Sequence, residues 1–238
     1  MENSWKEIWN QHDATLSGIE DFESLVMELK KANGFDVVGK NSVSFDSWMK
    51  HIQATAIMLG EDVRSIYEVG CGSGANLVML QRLGIEKIGG ADYSLKLSKV
   101  AEKATGSDDI TCCEAIGFPI IPSYDAVISD SVTQYLPSLA YADEVFSRMV
   151  EKAMKVIAVL DVHDDEKKDE WLAHRKAVIK DYESKYSGLD EMKLFIRKGF
   201  FEAFTERHGL QLVFTDTEIE NYWNGQYTYN VFMYKKGF

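Results

Sequence analysis

The stretch "SIYEVGCGSGANLVMLQRLG", Ser65 to Gly84, decides the fold. "SIYEV" is short and carries β-branched and aromatic residues, as a strand does. "ANLVMLQRLG" repeats its apolar residues at helical spacing and closes on Gly84, where a helix-ending glycine belongs. Between them, Gly70, Gly72 and Gly74 fall within five positions. Glycine admits positive φ and close approach, at a cost of about 0.5–1 kcal/mol each relative to alanine inside regular structure. A strand passing through a glycine turn into a helix opens a parallel α/β sheet, and the turn sits at the carboxyl edge where such sheets bind nucleotide-like ligands. Two cofactors fit this spacing. Gly70, Gly72 and Ala75 satisfy the dinucleotide pattern G-x-G-x-x-G/A, whereas Gly70, Gly72 and Gly74 satisfy G-x-G-x-G.

Downstream, short apolar runs alternate with helical patterns through "KIGGAD", "SLKLSKVAEKA", "ITCCEA", "YDAVISD", "LAYADEVFSRMVEKA" and "KVIAVLD". This rhythm predicts right-handed βαβ units, with Ser94 as an N-cap. A charged amphipathic stretch from about residue 165 to 186 and a helix ending at Gly209 follow. "LQLVFTD" and "YTYNVFMYKK" then form an antiparallel pair with no helix between them. The first sixty residues are helical in pattern, with Trp5 and Trp9 one turn apart and "FESLVMELKKANG" ending on Gly34. They are expected to form a cap or lid over 1–60, ahead of a catalytic α/β domain over 61–238. An insertion at about 163–197 would contribute to the acceptor site.

A 238-residue chain with 45% hydrophobic residues can bury a substantial core. Its net charge of −12, with basic residues clustered only in pairs, argues against a nucleic-acid partner. The sequence shows no apolar run of membrane-spanning length and no secretion signal. Cys71, Cys112 and Cys113 lack disulfide or metal spacing, which predicts buried thiols in a reducing cytoplasm. No metal site is expected.

From Arg64 to Lys236 the chain resembles the class I S-adenosylmethionine-dependent methyltransferases. Glu68 stands two positions before Gly70-Cys71-Gly72-Ser73-Gly74, matching the family's acidic residue and G-x-G-x-G turn. The resemblance implies a doubly wound, mostly parallel seven-stranded sheet with an antiparallel last strand, and S-adenosylmethionine as cofactor. Asp92 ends "KIGGAD", where a carboxylate can accept both ribose hydroxyl protons, and the family uses it so. Tyr93 follows it. By position in the family, Glu114 and Ala115 of "CCEAIGFPI" would read the adenine, although Asp is commoner than Glu at that place. Ser129 and Asp130 would border the methionine end and the methyl group. Gln134 is expected to touch the methionine or the acceptor, and Cys71 and Asn76 complete the expected cofactor contacts. The closing antiparallel pair is foreign to a plain NAD-binding fold.

Methyl transfer to a hydroxyl calls for a base. His163, in "VLDVHDD" beyond the fifth strand, is the first candidate, with Asp130 and Asp161 as alternatives. Asp164 and Asp165 beside His163 would raise its pKa. His12, His51, His174 and His208 lie in helical patterns and are expected at the surface or in packing. The aromatic residues of the cap and of the segment around Trp171 are expected mostly in the core, with one or two walling an acceptor pocket. The expected function is methylation of a hydroxyl, ahead of an amine, on a small polar metabolite. "EIENYWNGQYTYNVFMYKK" is similar to members found with surface-glycan and sugar-nucleotide pathways and favours a sugar derivative. An NAD(P)-dependent oxidoreductase and a non-catalytic adenosine-ligand-binding protein are the alternatives.

Overall fold

A computed structural model describes residues 4–35 and 42–237. Helix α1 spans Ser4–Trp9, α2 Phe22–Ala32 and α3 Phe45–Leu59. The α/β unit follows as β1 Ser65–Val69, α4 Ala75–Arg82, β2 Lys87–Asp92, α5 Leu95–Thr105, β3 Ile110–Cys112, β4 Tyr124–Asp130, α6 Leu139–Lys152 and β5 Ala153–His163. Next come α7 Lys168–Val178, the short α8 Tyr182–Lys185 and α9 Ser187–Glu191, then α10 Lys198–His208, β6 Gln211–Asp216 and β7 Thr228–Tyr234. Side-chain oxygens mark several helix starts: Asp21 accepts from Ser24 N, Ser44 from Ser47 N, Ser94 from Leu97 N and Ser138 from Tyr141 N.

The strands form one sheet in the order β3-β2-β1-β4-β5-β7-β6. The first five run parallel, and β7 lies antiparallel to both β5 and β6. The order reverses between β1 and β4, which opens a crevice at their carboxyl ends. β1 is buried along its whole length, and β4 is buried up to Asp130 at its end, as strands covered on both faces must be. Phe146 of α6 and Phe201 and Phe204 of α10 fill one face, against Tyr67, Val127 and Ile157. On the other face α4 and α5 are joined by α2 and α3, whose Val26, Leu29, Trp48 and Ile52 pack with Ile66, Val78 and Met79.

Helices α2 and α3 therefore share a core with the sheet, and packing does not break at residue 60 as the cap expectation had it; residues 36–41 of the expected cap lie outside the described residues. The amphipathic pattern of α2 and α3 was legible, but the face they bury against is not written in it. Of the expected cap, α1 lies over the carboxyl edge, its Trp5 and Trp9 packed against Tyr135. The expectation of three buried thiols also needs correction. Cys71 is buried and Cys113 partly so, but Cys112 is exposed because β3 is an edge strand.

The three glycines make room for the protein itself. A Cβ on Gly70, at φ +77°, would stand 2.3 Å from Val132 Cγ2, and one on Gly72, at φ +53°, 2.5 Å from Asn33 Oδ1. A Cβ on Gly74, at φ +83°, would stand 3.1 Å from Ala101 Cα and Cβ in α5. The loop after β4, the end of α2 and the face of α5 thus converge on one turn. Deleting residues 1–20 should leave a cooperative thermal transition by circular dichroism, since only α1 and its connection are lost. Deleting residues 1–40 removes Val26 and Leu29 from the core and should abolish that transition; a folded 41–238 fragment would show that α2 is a true lid.

Candidate functional site

A cavity of about 550 Å³ opens at the carboxyl edge, between the glycine turn, the ends of β2, β4 and β5, and the helices α1, α2 and α7. Of the expected cofactor residues, Glu68, Gly70, Cys71, Gly72, Asn76, Asp92, Tyr93, Glu114, Ala115 and Gln134 line it. Gly74 and Ser129 do not. Gly74 is packed against α5, and the Ser129 hydroxyl donates to the Val69 carbonyl at 2.9 Å, closing the seam between β4 and β1.

Asp92 clamps the turn: its Oδ2 accepts from Gly72 N at 2.9 Å and its Oδ1 from Ser94 N at 2.8 Å. Burial raises its pKa, and those two backbone donors oppose the rise. Each carboxylate oxygen keeps a second lone pair for a ligand hydroxyl. Helix α1 covers this end. Tyr93 Oη donates to the Trp5 carbonyl at 3.3 Å, and Trp5 and Trp9 pack edge-on against Tyr135 at 4.9 and 5.5 Å.

Beneath the turn lies a buried charged cluster that the sequence did not announce. Lys30 reaches in from α2, donates to Asn76 Oδ1 at 2.9 Å, and sits over the Trp48 ring at 3.7 Å from its centroid. Asn76 Nδ2 donates to Glu68 Oε1 at 2.7 Å and to Asp130 Oδ2 at 2.9 Å, and His51 Nε2 stands 3.8 Å from that same Asp130 oxygen. Burial pushes Glu68 up to about 8, with Asp130 adding to the rise, so it is largely protonated at neutral pH. Burial would raise Asp130 as well, but His51, Lys30 and Asn76 outweigh it and hold the carboxyl at about 2. The cluster is thus organised around one cation and one firm anion. Lys30, Glu68, Asn76 and Asp130 all line the cavity, and Glu68 Oε2 and Gln134 Oε1 are buried with no partner among the described residues. Unused polar atoms of this kind call for a polar ligand.

At the other end, three left-handed residues converge. Ser131, Asp161 and Asn221 have φ of 58°, 55° and 64°. Such non-glycine conformations cost on the order of 1–3 kcal/mol each and persist where surrounding structure imposes them. Asp161 lies where the β5–β7 register shifts, and its Oδ2 accepts from both the Ser131 hydroxyl and the Tyr222 hydroxyl at 2.7 Å. Burial, with the Asp130 charge beside it, raises Asp161 to about 6. Ser131 and Tyr222 line the cavity, and Asp161 stands behind them.

His163 is buried and lines the cavity, but the structure corrects its expected role. Trp171 Nε1 can only donate, and it does so to Asn224 Oδ1 at 2.6 Å, which fixes the Asn224 amide. Asn224 Nδ2 consequently donates to His163 Nε2 at 2.9 Å. The neutral ring must then carry its proton on Nδ1, an atom buried with no partner among the described residues. Burial, then the charges of Lys193 and Arg175, push its pKa well below the ordinary value. The rise expected from Asp164 and Asp165 is absent because Asp164 turns to accept from Glu166 N and Asp165 pairs with Arg197. His163 is a neutral donor, with no lone pair free to act as a base.

Lys30, Asn33, Ser131, Tyr135, Arg175, Lys193, Tyr222 and Asn224 line the cavity and were missed as site residues. "ENYWNGQY" held a signal for two of them, since a Tyr and an Asn precede a strand that inserts beside β5. His12 also lines the cavity, and His174 stacks on Trp223 at 5.3 Å.

Known proteins place this geometry. A family model described as a methyltransferase domain matches residues 67–157. Over 152 residues the chain is 26% identical to the nonribosomal peptide synthetase agiA of Aspergillus flavus, a match that covers 59% of this chain and 2% of that protein's length. Magnesium protoporphyrin IX methyltransferase from Synechocystis PCC 6803, solved with bound S-adenosylmethionine, superposes with a TM-score of 0.58 at 13% identity, covering 92% of this chain and 100% of that one. CalS10, an amino pentose methyltransferase from Micromonospora echinaspora, gives 0.61 at 11% identity, covering 79% and 92%. Among the described residues no helix is long and apolar enough to cross a membrane. The family model over residues 67–157, the strand order and the glycine turn after β1 thus agree: across that stretch the chain is similar to methyltransferase domains, and its sheet has the Rossmann-like methyltransferase fold.

Proposed function

We propose that the chain methylates a hydroxyl of a small polar molecule, a sugar derivative being one fitting class, with S-adenosylmethionine as methyl donor. The observation that carries this reading is the continuity of one cavity from the Asp92-clamped glycine turn to the Tyr222–Asp161 pair. Asp92 would receive the ribose hydroxyls, Glu114 and Ala115 would border the adenine, and Glu68, Gln134 and the Lys30–Asp130 cluster would face the amino-acid end. When bound, S-adenosylmethionine supplies a methyl group activated by a sulfonium charge that is lost as the new bond to the acceptor oxygen forms and the carbon–sulfur bond breaks. The CalS10 match supports a sugar-like acceptor only by likeness of fold.

The chain's own task is to orient the acceptor and remove its proton. Asp130 is too acidic to accept a proton near neutrality, and His163 offers a proton instead of a lone pair. Asp161 is matched to the task by its pKa of about 6, and it reaches the cavity through Tyr222. The acceptor hydroxyl gives its proton to Tyr222 Oη as Tyr222 passes its own to Asp161 Oδ2. Asn224, donating to Tyr222 Oη at 3.2 Å, keeps that hydroxyl turned toward the carboxylate.

S-adenosylhomocysteine should raise the melting temperature and NAD(P) should not; stabilisation by NAD alone would overturn the cofactor assignment in favour of an oxidoreductase. Because Asp161 must be ionised to receive the proton, kcat/KM should climb with pH through about 6 and level off above it. Tyr222→Phe should lower kcat by about 10²–10⁴-fold with little change in cofactor affinity, and Asp161→Asn should lose the inflection. A Tyr222→Phe variant with normal rate and pH profile would remove the relay.

A further inference from the structure

Beside the rings of Trp5, Tyr135 and Trp171 the cavity holds more positive charge than the described residues balance. Lys193, in the segment between α9 and α10, places its ammonium over Tyr135 at 4.5 Å and over Trp5 at 4.7 Å, with Trp171 at 5.9 Å. Among the described residues it makes no ion pair. Arg175 of α7 lies 4.9 Å from the Trp171 ring and spends its Nε on the buried Asp190 at 2.5 Å. Its two terminal nitrogens have no hydrogen bond or ion pair among the described residues. Two cations thus share one buried carboxylate, in a chain whose net charge is −12. Asp161, the next anion, is already held by Ser131 and Tyr222.

His163 adds a third donor. Its ring lies 5.2 Å from Trp171 and 5.2 Å from Phe195, and its Nδ1–H has no acceptor among the described residues. The strand-like segment carrying Lys193 is pinned on both sides, Leu194 N donating to the Gln134 carbonyl at 3.1 Å and Ile196 N to the His163 carbonyl at 2.8 Å. Lys193 is therefore held in place before any ligand arrives, which lowers the ordering cost of binding. Aromatic faces stabilise a cation but do not neutralise it, and a partly desolvated cation is best balanced by an anion with hydrogen-bonding oxygens.

Resting on the methyltransferase reading above, we propose that the acceptor carries an oxyanion, a carboxylate or a phosphate, received by Lys193, the terminal nitrogens of Arg175 and the His163 Nδ1–H. Trp171, Trp5 and Tyr135 wall the body to which that group is attached. This places the anionic group beside Lys193 and leaves the acceptor hydroxyl to meet Tyr222. The site selects for a hydroxylated acid or a phosphate ester over the corresponding neutral molecule.

Tryptophan fluorescence reads this directly, because Trp5, Trp171 and Trp223 line the cavity. Protein with and without saturating S-adenosylhomocysteine is titrated with 4-hydroxybenzoate, phenyl phosphate and the neutral 4-hydroxybenzamide, in wild type, Lys193→Met and Lys193→Arg. At least one anion should quench saturably, about tenfold or more tightly than the amide, and the tighter of the two identifies the oxyanion. Lys193→Met should weaken that anion at least about tenfold, Lys193→Arg should keep it within about threefold, and S-adenosylhomocysteine affinity should change less than about twofold. Lys193→Gln takes the place of Lys193→Met if the latter does not fold. The proposal falls if neither anion binds, if the amide binds as tightly, or if removing the charge leaves anion affinity unchanged. It also falls if the Lys193→Met variant loses S-adenosylhomocysteine instead, which would make Lys193 a contact for the cofactor's own carboxylate. Failure of S-adenosylhomocysteine to bind wild type would sink the methyltransferase reading, while the titrations without it still judge the anion site.

Discussion

One ammonium group under the glycine turn organises the molecule. Lys30 comes from a helix that precedes the sheet, yet its charge lies among Asn76, Glu68 and Asp130, which belong to α4, β1 and β4. A buried carboxylate as acidic as Asp130 needs a nearby cation, and a buried lysine needs an anion, so each explains the other's presence. The requirement fixes α2 against the sheet more specifically than Val26 and Leu29 could by apolar burial alone. Asn33, at the end of the same helix, accepts from Ser73 N at 2.8 Å and presses on Gly72. Ser73 Oγ completes the contact by donating to the Leu29 carbonyl at 2.8 Å. The glycine turn is shaped from outside by α2 as much as by its own strand and helix.

The two ends of the cavity follow different physical rules. At the turn, backbone donors and a small charged cluster make a rigid, polar floor suited to a cofactor with many hydrogen-bonding groups. At the far end, strained backbone at Ser131, Asp161 and Asn221 brings two hydroxyls, from separate segments, onto the carboxylate of a third. Strain stored at such a point is maintained by the surrounding sheet, here by Asn230, whose Oδ1 accepts from Asp161 N at 3.0 Å. Aromatic rings from α1, α7 and the loop after β6 then wall the space between.

Much of this was legible in the sequence because it is local. The G-x-G-x-G turn, the strand-end Asp92, the alternation of strands and helices and the antiparallel close all depend on residues near one another in the chain. The errors share a cause, which is that long-range contacts leave no local trace. His163 looked solvated beside two aspartates, but Trp171 and Asn224, remote in sequence, decide both its burial and its tautomer. Ser129 looked like a ligand contact by its place at a strand end, yet the pleat turns it to the neighbouring strand. Helices α2 and α3 gave the right period with no sign of which surface they cover. Lys30 and Lys193 were not singled out, because nothing adjacent to either announces a buried partner.

The coupling of Lys30 to Asp130 is measured most directly by denaturant unfolding of a double-mutant cycle. Lys30→Met should cost about 3–5 kcal/mol at pH 7, because Asp130 is left as a buried and poorly balanced anion. Neutralising that anion as well, in Lys30→Met/Asp130→Asn, should restore at least half of the loss. A Lys30→Met variant less than about 1 kcal/mol below wild type, or a double variant whose cost equals the sum of the two single ones, would show that the two charges do not depend on each other and would contradict the account.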